Sequence, residues 1–337
     1  MTSKFARRDF LRRAAAAGLA LPLLSRASIL HAARGLAASA KTFRGIFAIL
    51  MTPFTLQDQM DEEDLAREVS FCARVGAQGV VWPQLFGEFY VLSEQERRRG
   101  AEILIRAADG RCAVVIGVQA PSKEIAVEFA RHAESKGADA VIALPPFLGP
   151  VTLDTATDYY HALAAAIRIP IFIQNTGGQW GPALPTSLVI QLAKENPQLA
   201  YVKEEIDPVP HRMGEYKNSG AINGIFSGGG GKTLLDELAR GASGTMPACE
   251  FADVHAQIYE LAAAGKWEEA RALFQKLSPM IILEETYGLA FSKTVMVRRG
   301  VFKTTKRRGV ANLQGLDAVD QRELDAWWQQ LVPYFKA

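Results

Sequence analysis

Lys203 closes the apolar run Ala200 to Lys203 and is followed at once by Glu204-Glu205. A lysine at the end of a buried strand has three fates: it snorkels to solvent, pairs with a carboxylate, or sits desolvated with a depressed pKa as a nucleophilic amine. Other chemistry-bearing groups hold comparable positions. Gln174-Asn175 ends one apolar run, Gln84 to Glu88 follows another, and Thr52-Pro53 and Pro145-Pro146-Phe147 punctuate two more. Gln174 exchanges hydrogen bonds but is no general base near neutral pH. Glu88 and Glu205 are candidates for that role, Glu88 more readily as a structural hydrogen-bond acceptor. Gly228 to Gly231, before Lys232-Thr233, has the composition of a phosphate loop, but the pattern GxxxxGK needs glycine where Phe226 stands. These glycines permit either a close backbone approach to substrate or a flexible connection.

Metal chemistry is not expected. The five histidines form no HExxH grouping, and the three cysteines, Cys72, Cys112 and Cys249, lie too far apart for a metal motif. A disulfide scaffold is equally unexpected, because pairing two of the three would leave one thiol over. No cofactor is expected either.

The elements that must position these groups alternate. Short β-branched runs separated by Ala-rich amphipathic stretches are the pattern of repeated βα units and a parallel sheet. Eight strands are expected: Gly45 to Met51, Gly79 to Trp82, Ala113 to Val118, Ala140 to Leu144, Pro170 to Gln174, Ala200 to Lys203, Ala221 to Phe226 and Gly244 to Met246. Gly76, Gly137 and Gly241 stand where a helix needs a left-handed C-cap before the next strand. The spacing favours a closed α/β barrel over an open sheet, with chemistry at the C-terminal ends of the strands. Beyond Phe251 the strand signals stop, and Ala256 to Ala264, Trp267 to Leu277 and Asp320 to Tyr334 read as helices. Trp267, Trp327 and Trp328 are expected to pack rather than bind ligand. The expected division is a leader over 1–40, a (β/α)8 barrel over 41–250 and a C-terminal helical extension over 251–337.

At the N-terminus, Arg7-Arg8-Asp9-Phe10-Leu11 precedes an apolar run from Ala14 to Leu24 and the small-residue triplet Ala38-Ser39-Ala40. That run is shorter than the roughly 20 apolar residues needed to span a bilayer. Basic, apolar and small-residue regions in this order read as a cleavable export signal, with an uncleaved anchor as the alternative. The paired arginines are similar to the twin-arginine address, read by the twin-arginine export machinery. Cleavage would leave Lys41 first. The expectation is a periplasmic protein without a stable membrane anchor. Of 337 residues, 49% are hydrophobic and 22% charged, with Lys+Arg 38 against Asp+Glu 36, and much of the positive excess lies in the leader. Such a balance is that of a soluble globular protein with no nucleic-acid surface. The cluster Lys303, Lys306, Arg307 and Arg308 is read as solvated surface.

Several of these segments occur in the order and spacing of one family. Arg44-Gly45-Ile46 through Met51-Thr52-Pro53-Phe54, Gly87-Glu88, Leu92-Ser93-Glu94-Gln95-Glu96-Arg97, Gly137-Ala138-Asp139-Ala140, Pro145-Pro146-Phe147 and Tyr201-Val202-Lys203-Glu204 carry the resemblance. Over about residues 43 to 310 the chain resembles the dihydrodipicolinate synthase and N-acetylneuraminate lyase family. The resemblance implies that Lys203 forms a Schiff base with a small 2-oxo acid, and that the protein is a homo-oligomer, dimer or tetramer. It sets Asn175 on the asparagine of the family's Tyr-Asn motif and Glu88 on the end of its Gly-Thr-Thr-Gly-Glu motif. It also sets Leu85, Phe86, Gly87, Glu205, Gly228, Gly229 and Gln179 around the substrate.

Departures narrow the function. Leu85 and Phe86 stand where the family has two threonines, Gln84 where it has glycine, and Gln174 where it has the catalytic tyrosine. Gln179 replaces the arginine that grips the second substrate in dihydrodipicolinate synthase, which argues against lysine biosynthesis. Glutamine at the tyrosine position is similar to 2-keto-3-deoxy-arabonate dehydratase and its relatives. The expected activity is therefore a Schiff-base hydro-lyase, catalytic through Lys203 and Gln174, that dehydrates a 2-keto-3-deoxy sugar acid. Backbone amides near Phe86 and Gly87 would hold the substrate carboxylate. The alternatives are a pyruvate-type aldolase or synthase and a non-catalytic periplasmic 2-oxo acid binding protein.

Overall fold

Residues 43–308 and 315–336 are described by a computed structural model. The expected leader over 1–40, with Arg7-Arg8 and Ala38-Ser39-Ala40, lies outside the described residues.

Eight short parallel strands follow one another around a closed barrel. They are β1 (Gly45–Ile49), β2 (Gly79–Trp82), β3 (Ala113–Gly117), β4 (Ala140–Ala143), β5 (Ile171–Asn175), β6 (Tyr201–Glu204), β7 (Gly224–Ser227) and β8 (Gly244–Thr245). Closure is made where Gly45 of β1 pairs with Gly244 of β8. A Cβ on Gly244 would lie 1.8 Å from the Gly45 carbonyl oxygen, so only glycine fits this seam. Only β2 keeps both expected bounds; the other strands begin or end one to three residues away, and two of the shifts have a plain cause. Ala221 and Ile222 precede β7, which starts only after the Asn223 amide has bonded the Ala200 carbonyl. β8 is two residues long, and Pro247, which has no N–H to donate, follows its last rung from the Met246 amide to the Ser227 carbonyl.

Alternation along each strand sorts side chains between two cores. Phe47, Ile49, Val81, Ile142, Phe172 and Phe226 fill the barrel interior. Phe47 and Phe172 meet Phe226 edge-on at 5.0 and 5.6 Å between ring centroids. Residues of the opposite parity, such as Val80, Val114, Val141 and Val202, pack against the surrounding helices. Those helices are α1 (Glu62–Val75), α2 (Glu94–Ala108), α3 (Lys123–Lys136), α4 (Leu153–Ala166), α5 (Thr186–Glu195), α6 (Val209–Ser219) and α7 (Leu234–Ala239). Their ends are coded locally. Ser93 and Glu96 form a reciprocal capping box on α2, and Gly76 and Gly137 cap α1 and α3 in the left-handed conformation.

Four helices follow: α8 (Ala252–Ala263), α9 (Trp267–Tyr287), α10 (Leu289–Arg298) and α11 (Ala318–Leu331). α8 packs against β1 and α1 and so completes the eighth βα unit, which carries the barrel past the boundary read at residue 250. α9 runs ten residues beyond the expected stop at Leu277, straight through Pro279. Burial of Met280 and Ile281 in the cluster formed with Val254, Ile258, Phe291 and Leu324 offsets the backbone hydrogen bond lost to proline. Trp267, Trp327 and Trp328 pack against this same cluster. No described helix is long and apolar enough to cross a membrane.

The basic cluster is only partly the solvated surface expected. Lys303 sits at the surface between Asp61 and Glu63, but Arg308 is mostly enclosed, 2.9 Å from Glu96. Its guanidinium also reaches the Asp58 carbonyl at 2.5 Å, fastening this segment over the barrel.

Candidate active site

Period-two alternation decides what β6 presents on each side. Tyr201 and Lys203 point into the barrel; Val202 and Glu204 point into the helical layer. Lys203 pairs in register with Gln174 of β5 on one side and Phe226 of β7 on the other. Its side chain is 6% exposed, and Nζ lies 3.2 Å from Glu205 Oε1. The Gln174 carboxamide donates to the other oxygen of that carboxylate at 2.7 Å. Glu205 therefore links the amine and the carboxamide. Gly228 makes room for this arrangement, because a Cβ there would lie 2.0 Å from Glu205 Oε1. The glycine run thus approaches the Glu205 carboxylate, and the neighbouring Gly230 carbonyl lies 3.0 Å from His255 Nε2.

Lys203 and Glu205 open onto a cavity of about 300 Å³. Leu85 and Phe86 from the β2 loop, Gly229 from the β7 loop, Met246 and Ala248 also line it. The loop after β2 is held by a chain of polar contacts. Trp82 Nε1 donates to Thr52 Oγ1 at 2.9 Å, and that hydroxyl donates to the Gly87 carbonyl at 2.5 Å. Gly87 is a turn residue: its missing Cβ would lie 2.8 Å from the Gln84 amide nitrogen. Gln84 lines the cavity, while its carboxamide donates to Gln119 Oε1 at 3.1 Å and Gln119 donates to the Pro83 carbonyl at 2.8 Å. Gln84 Oε1 and Gln174 Oε1 are both buried without a hydrogen-bond partner among the described residues. Two acceptors in or beside a cavity suit a hydroxylated ligand, since a buried acceptor left unmatched costs about 1–3 kcal/mol.

Three expected site residues lie elsewhere. Asn175 falls on the outward parity of β5, where its carboxamide clamps both backbone groups of Leu184 at 2.9 Å and donates to Glu204 Oε2 at 3.0 Å. Glu204 also accepts from the Tyr216 hydroxyl at 2.6 Å and ion-pairs with Arg212 at 3.0 Å. Burial and the Glu204 charge push the Tyr216 hydroxyl far above its ordinary range, which keeps it a donor. Glu88, in the left-handed region at φ 53°, is fully buried against Lys293. Burial raises the Glu88 carboxyl and lowers the Lys293 amine, each opposed by its partner's charge. Gln179 lines a separate cavity with Phe147, Gly149 and Val151. Its neighbour Trp180 is fixed against Phe89 and Phe147 at 5.7 and 6.0 Å between centroids.

Three residues at or near the site are not singled out by the sequence. Gln84 stands there only as the start of the segment after β2 and as a departure from the family's glycine, with no role of its own. Lys293 lies on α10, a helix the sequence pattern does not announce, and donates to the Thr52 carbonyl at 2.8 Å and the Lys306 carbonyl at 2.9 Å besides meeting Glu88. Glu284 lines the Lys203 cavity from α9 while being 8% exposed. Burial, reinforced by the charges of Glu250 and Glu285, holds its carboxyl well above the usual carboxylate range. A signal for Glu284 does exist: it continues the buried stripe Leu273, Leu277, Met280 and Ile281 at helical spacing. Among the described residues no group of three or more His, Cys, Asp or Glu could hold a metal ion.

Residues 42–321 match the family described as the Dihydrodipicolinate synthetase family. The chain is 29% identical over 262 residues to a protein of Escherichia coli (strain K12) named "Probable 2-dehydro-3-deoxy-D-pentonate aldolase", covering 76% of this chain and 87% of that protein. It is 28% identical over 271 residues to an L-2-keto-3-deoxyarabonate dehydratase of Azospirillum brasilense, with 79% and 87% covered. It is 27% identical over 289 residues to a 4-hydroxy-tetrahydrodipicolinate synthase of Rhizobium meliloti (strain 1021), with 84% and 97% covered. The fold superimposes on the crystal structure of a dihydrodipicolinate synthase from Rhodopseudomonas palustris with a TM-score of 0.79 and 26% identity, over 86% of this chain and 98% of that one. With a match over most of its length and a barrel of the same architecture, the chain belongs to the dihydrodipicolinate synthetase family.

Proposed function

We propose that the protein is a Schiff-base hydro-lyase that removes water from a 2-keto-3-deoxy sugar acid. The observation that carries this reading is the linked set Lys203, Glu205 and Gln174, of which Lys203 and Glu205 line the cavity and Gln174 is buried behind Glu205. Lys203 Nζ attacks the C2 carbonyl, and loss of water gives an iminium that acidifies the C3 protons. The Glu205 carboxylate, 3.2 Å from Nζ, is placed to take a C3 proton. The resulting enamine expels the C4 hydroxyl as water, a proton shift from C5 to C3 and ketonisation of the C4–C5 enol create the second oxo group, and hydrolysis of the remaining iminium frees Lys203. Backbone amides of Phe86 and Gly87 serve the substrate carboxylate in place of threonine hydroxyls. The unmatched oxygens of Gln84 and Gln174 accept from sugar hydroxyls. Aldol cleavage, by contrast, needs a base that takes the proton from the C4 hydroxyl as it becomes the departing aldehyde, and the position that carries the family's tyrosine is Gln174, which is no general base near neutral pH.

The relatives' names divide between these outcomes, so products must discriminate. With a 2-keto-3-deoxy-pentonate the expected result is a dioxo acid lighter by one water, seen by mass spectrometry, with no pyruvate in a coupled assay. Gln174→Ala is expected to slow that turnover more than it reduces borohydride trapping. Stoichiometric pyruvate from the unmodified protein overturns dehydration in favour of aldol cleavage. A periplasmic location is proposed on Arg7-Arg8 and the following apolar run, and exchange of both arginines for lysine is expected to hold the precursor in the cytoplasm.

A further inference from the structure

The barrel supplies one carboxyl group to the cavity, Glu205; α9 supplies two more, Glu284 and the mostly exposed Glu285, which pairs with Lys232 at 3.4 Å. Glu284 on α9 enters the same cavity as Lys203. The Glu205 and Glu284 carboxyls both border the glycine loop. A Cβ on Gly228 would collide with Glu205 Oε1 at 2.0 Å, while one on Gly230 would lie 3.5 and 3.6 Å from the two Glu284 oxygens. Both acids therefore lie against the loop and line one reaction space. Glu205 is occupied by the Lys203 amine and the Gln174 carboxamide. Glu284 is more than nine-tenths buried, yet no described side chain or backbone amide hydrogen-bonds its carboxyl and no described cation pairs with it. A buried, unpaired carboxyl at a cavity wall is costly to keep charged.

We infer that Glu284 is the acid that protonates the departing C4 hydroxyl, a role that rests on the dehydratase reading. In the enamine the nitrogen lone pair on Lys203 reforms C=N, the C2–C3 double bond shifts to C3–C4, and the C4–O bond breaks. Oxygen leaves with its own hydrogen and the Glu284 proton as water. Lys203 is left as a conjugated iminium; loss of a C5 proton, protonation at C3 and ketonisation of the resulting C4–C5 enol place the second oxo group at C5, and one water then hydrolyses the iminium. The C3 proton on Glu205 is released to solvent and Glu284 recovers one from it, so the net change is the loss of one water. Burial and the neighbouring charges of Glu250 and Glu285 favour the protonated form needed before the step. Two acids with separate roles also remove the need for a single group that first accepts and then delivers a proton within one turnover.

The test compares Glu284→Gln and Glu284→Asp with the unmodified protein on 2-keto-3-deoxy-pentonates of both C4 configurations. Pyruvate serves as a second probe, through borohydride trapping and exchange of its methyl protons in deuterium oxide. Glu284→Gln should trap and exchange pyruvate as before but lose water about 10²- to 10⁴-fold more slowly, the usual cost of one missing proton transfer. A 4-deoxy-4-fluoro analogue should narrow that gap, because fluoride leaves without a proton. Glu284→Asp should recover part of the rate. Undiminished dehydration by Glu284→Gln overturns the inference, and so does an equal loss of trapping, exchange and dehydration, which marks a structural residue. Pyruvate in place of the dioxo acid from the unmodified protein, or no reaction with either configuration, overturns the dehydratase reading and this inference with it. A dioxo acid from the unmodified protein with an indifferent Glu284→Gln removes only the inference.

Discussion

Lys203 and Glu204, adjacent on β6, face opposite sides of the barrel wall, one toward the cavity and the other toward Arg212 and Tyr216. Neighbours one residue apart should therefore fail in different ways. Lys203→Ala and Lys203→Arg are expected to fold with unchanged circular dichroism and to form no borohydride-stable adduct with pyruvate, because neither side chain supplies a nucleophilic amine. Glu204→Gln is expected to trap normally but to lose about 3 kcal/mol of stability. That is the low end for breaking a buried ion pair, since Arg212 keeps some solvent contact. An adduct in either Lys203 variant would assign the nucleophile to another lysine.

Much of this division is legible in the sequence because it rests on parity. An apolar run ending in Lys203 fixes which neighbours share its side once the strand is recognised. Gly76 and Gly137 mark helix ends for a similarly local reason. Asn175 shows where such reading stops. It sits one residue beyond Gln174, so it must face away from the cavity, but the family motif draws attention to the residue type rather than to its parity. Glu88 and Lys293 are 205 positions apart, and no local pattern joins them. Glu284 and Glu285 look alike in sequence, yet the first is 8% exposed and the second has a side chain 65% exposed. Only the phase of α9 against the barrel separates them. Gln179 departs from expectation for another reason: after β5 the chain turns through Gly177 and Gly178, both at φ 67°, and carries it away from the Lys203 cavity.

The Glu88–Lys293 pair supplies a second test, in which stability rather than chemistry is read. Both side chains are 0% exposed, and Lys293 also satisfies the Thr52 and Lys306 carbonyls. Removing one partner leaves a buried charge alone, at a cost of about 3–5 kcal/mol. Lys293→Met and Glu88→Leu should each lower the midpoint of urea denaturation strongly. The double variant should be less unstable than the sum of the two, because it buries no orphaned charge. Any single variant that remains folded should still trap pyruvate, since the nucleophile is Lys203. Strictly additive losses would mean that the two side chains do not interact across the buried pair.

Glu68 Oε1 accepts from the Met51 amide at 2.9 Å and from Cys249 Sγ at 3.0 Å, while Oε2 has no partner among the described residues. Burial pushes this carboxyl up to about 8, against an ordinary value of 4.5, with the Cys249 and Met51 hydrogen bonds and the Lys293 charge opposing the rise only in part. Between those two values the folded chain holds a proton that the unfolded chain has shed. Stability must then fall as pH rises through the window, and this group adds no slope below it or above it. Glu68→Gln keeps an oxygen for Met51 and cannot ionise. Its stability relative to the unmodified protein should therefore improve from pH 5 to pH 9, by a few kcal/mol in order of magnitude, since each tenfold difference in proton affinity between the folded and unfolded chain corresponds to about 1.4 kcal/mol. A residual slope of the same sign should survive from Glu250, which burial raises to about 7. Urea titrations at pH 5, 7 and 9 decide the matter: parallel pH profiles for the two proteins would show that Glu68 is not the group whose ionisation weakens the fold.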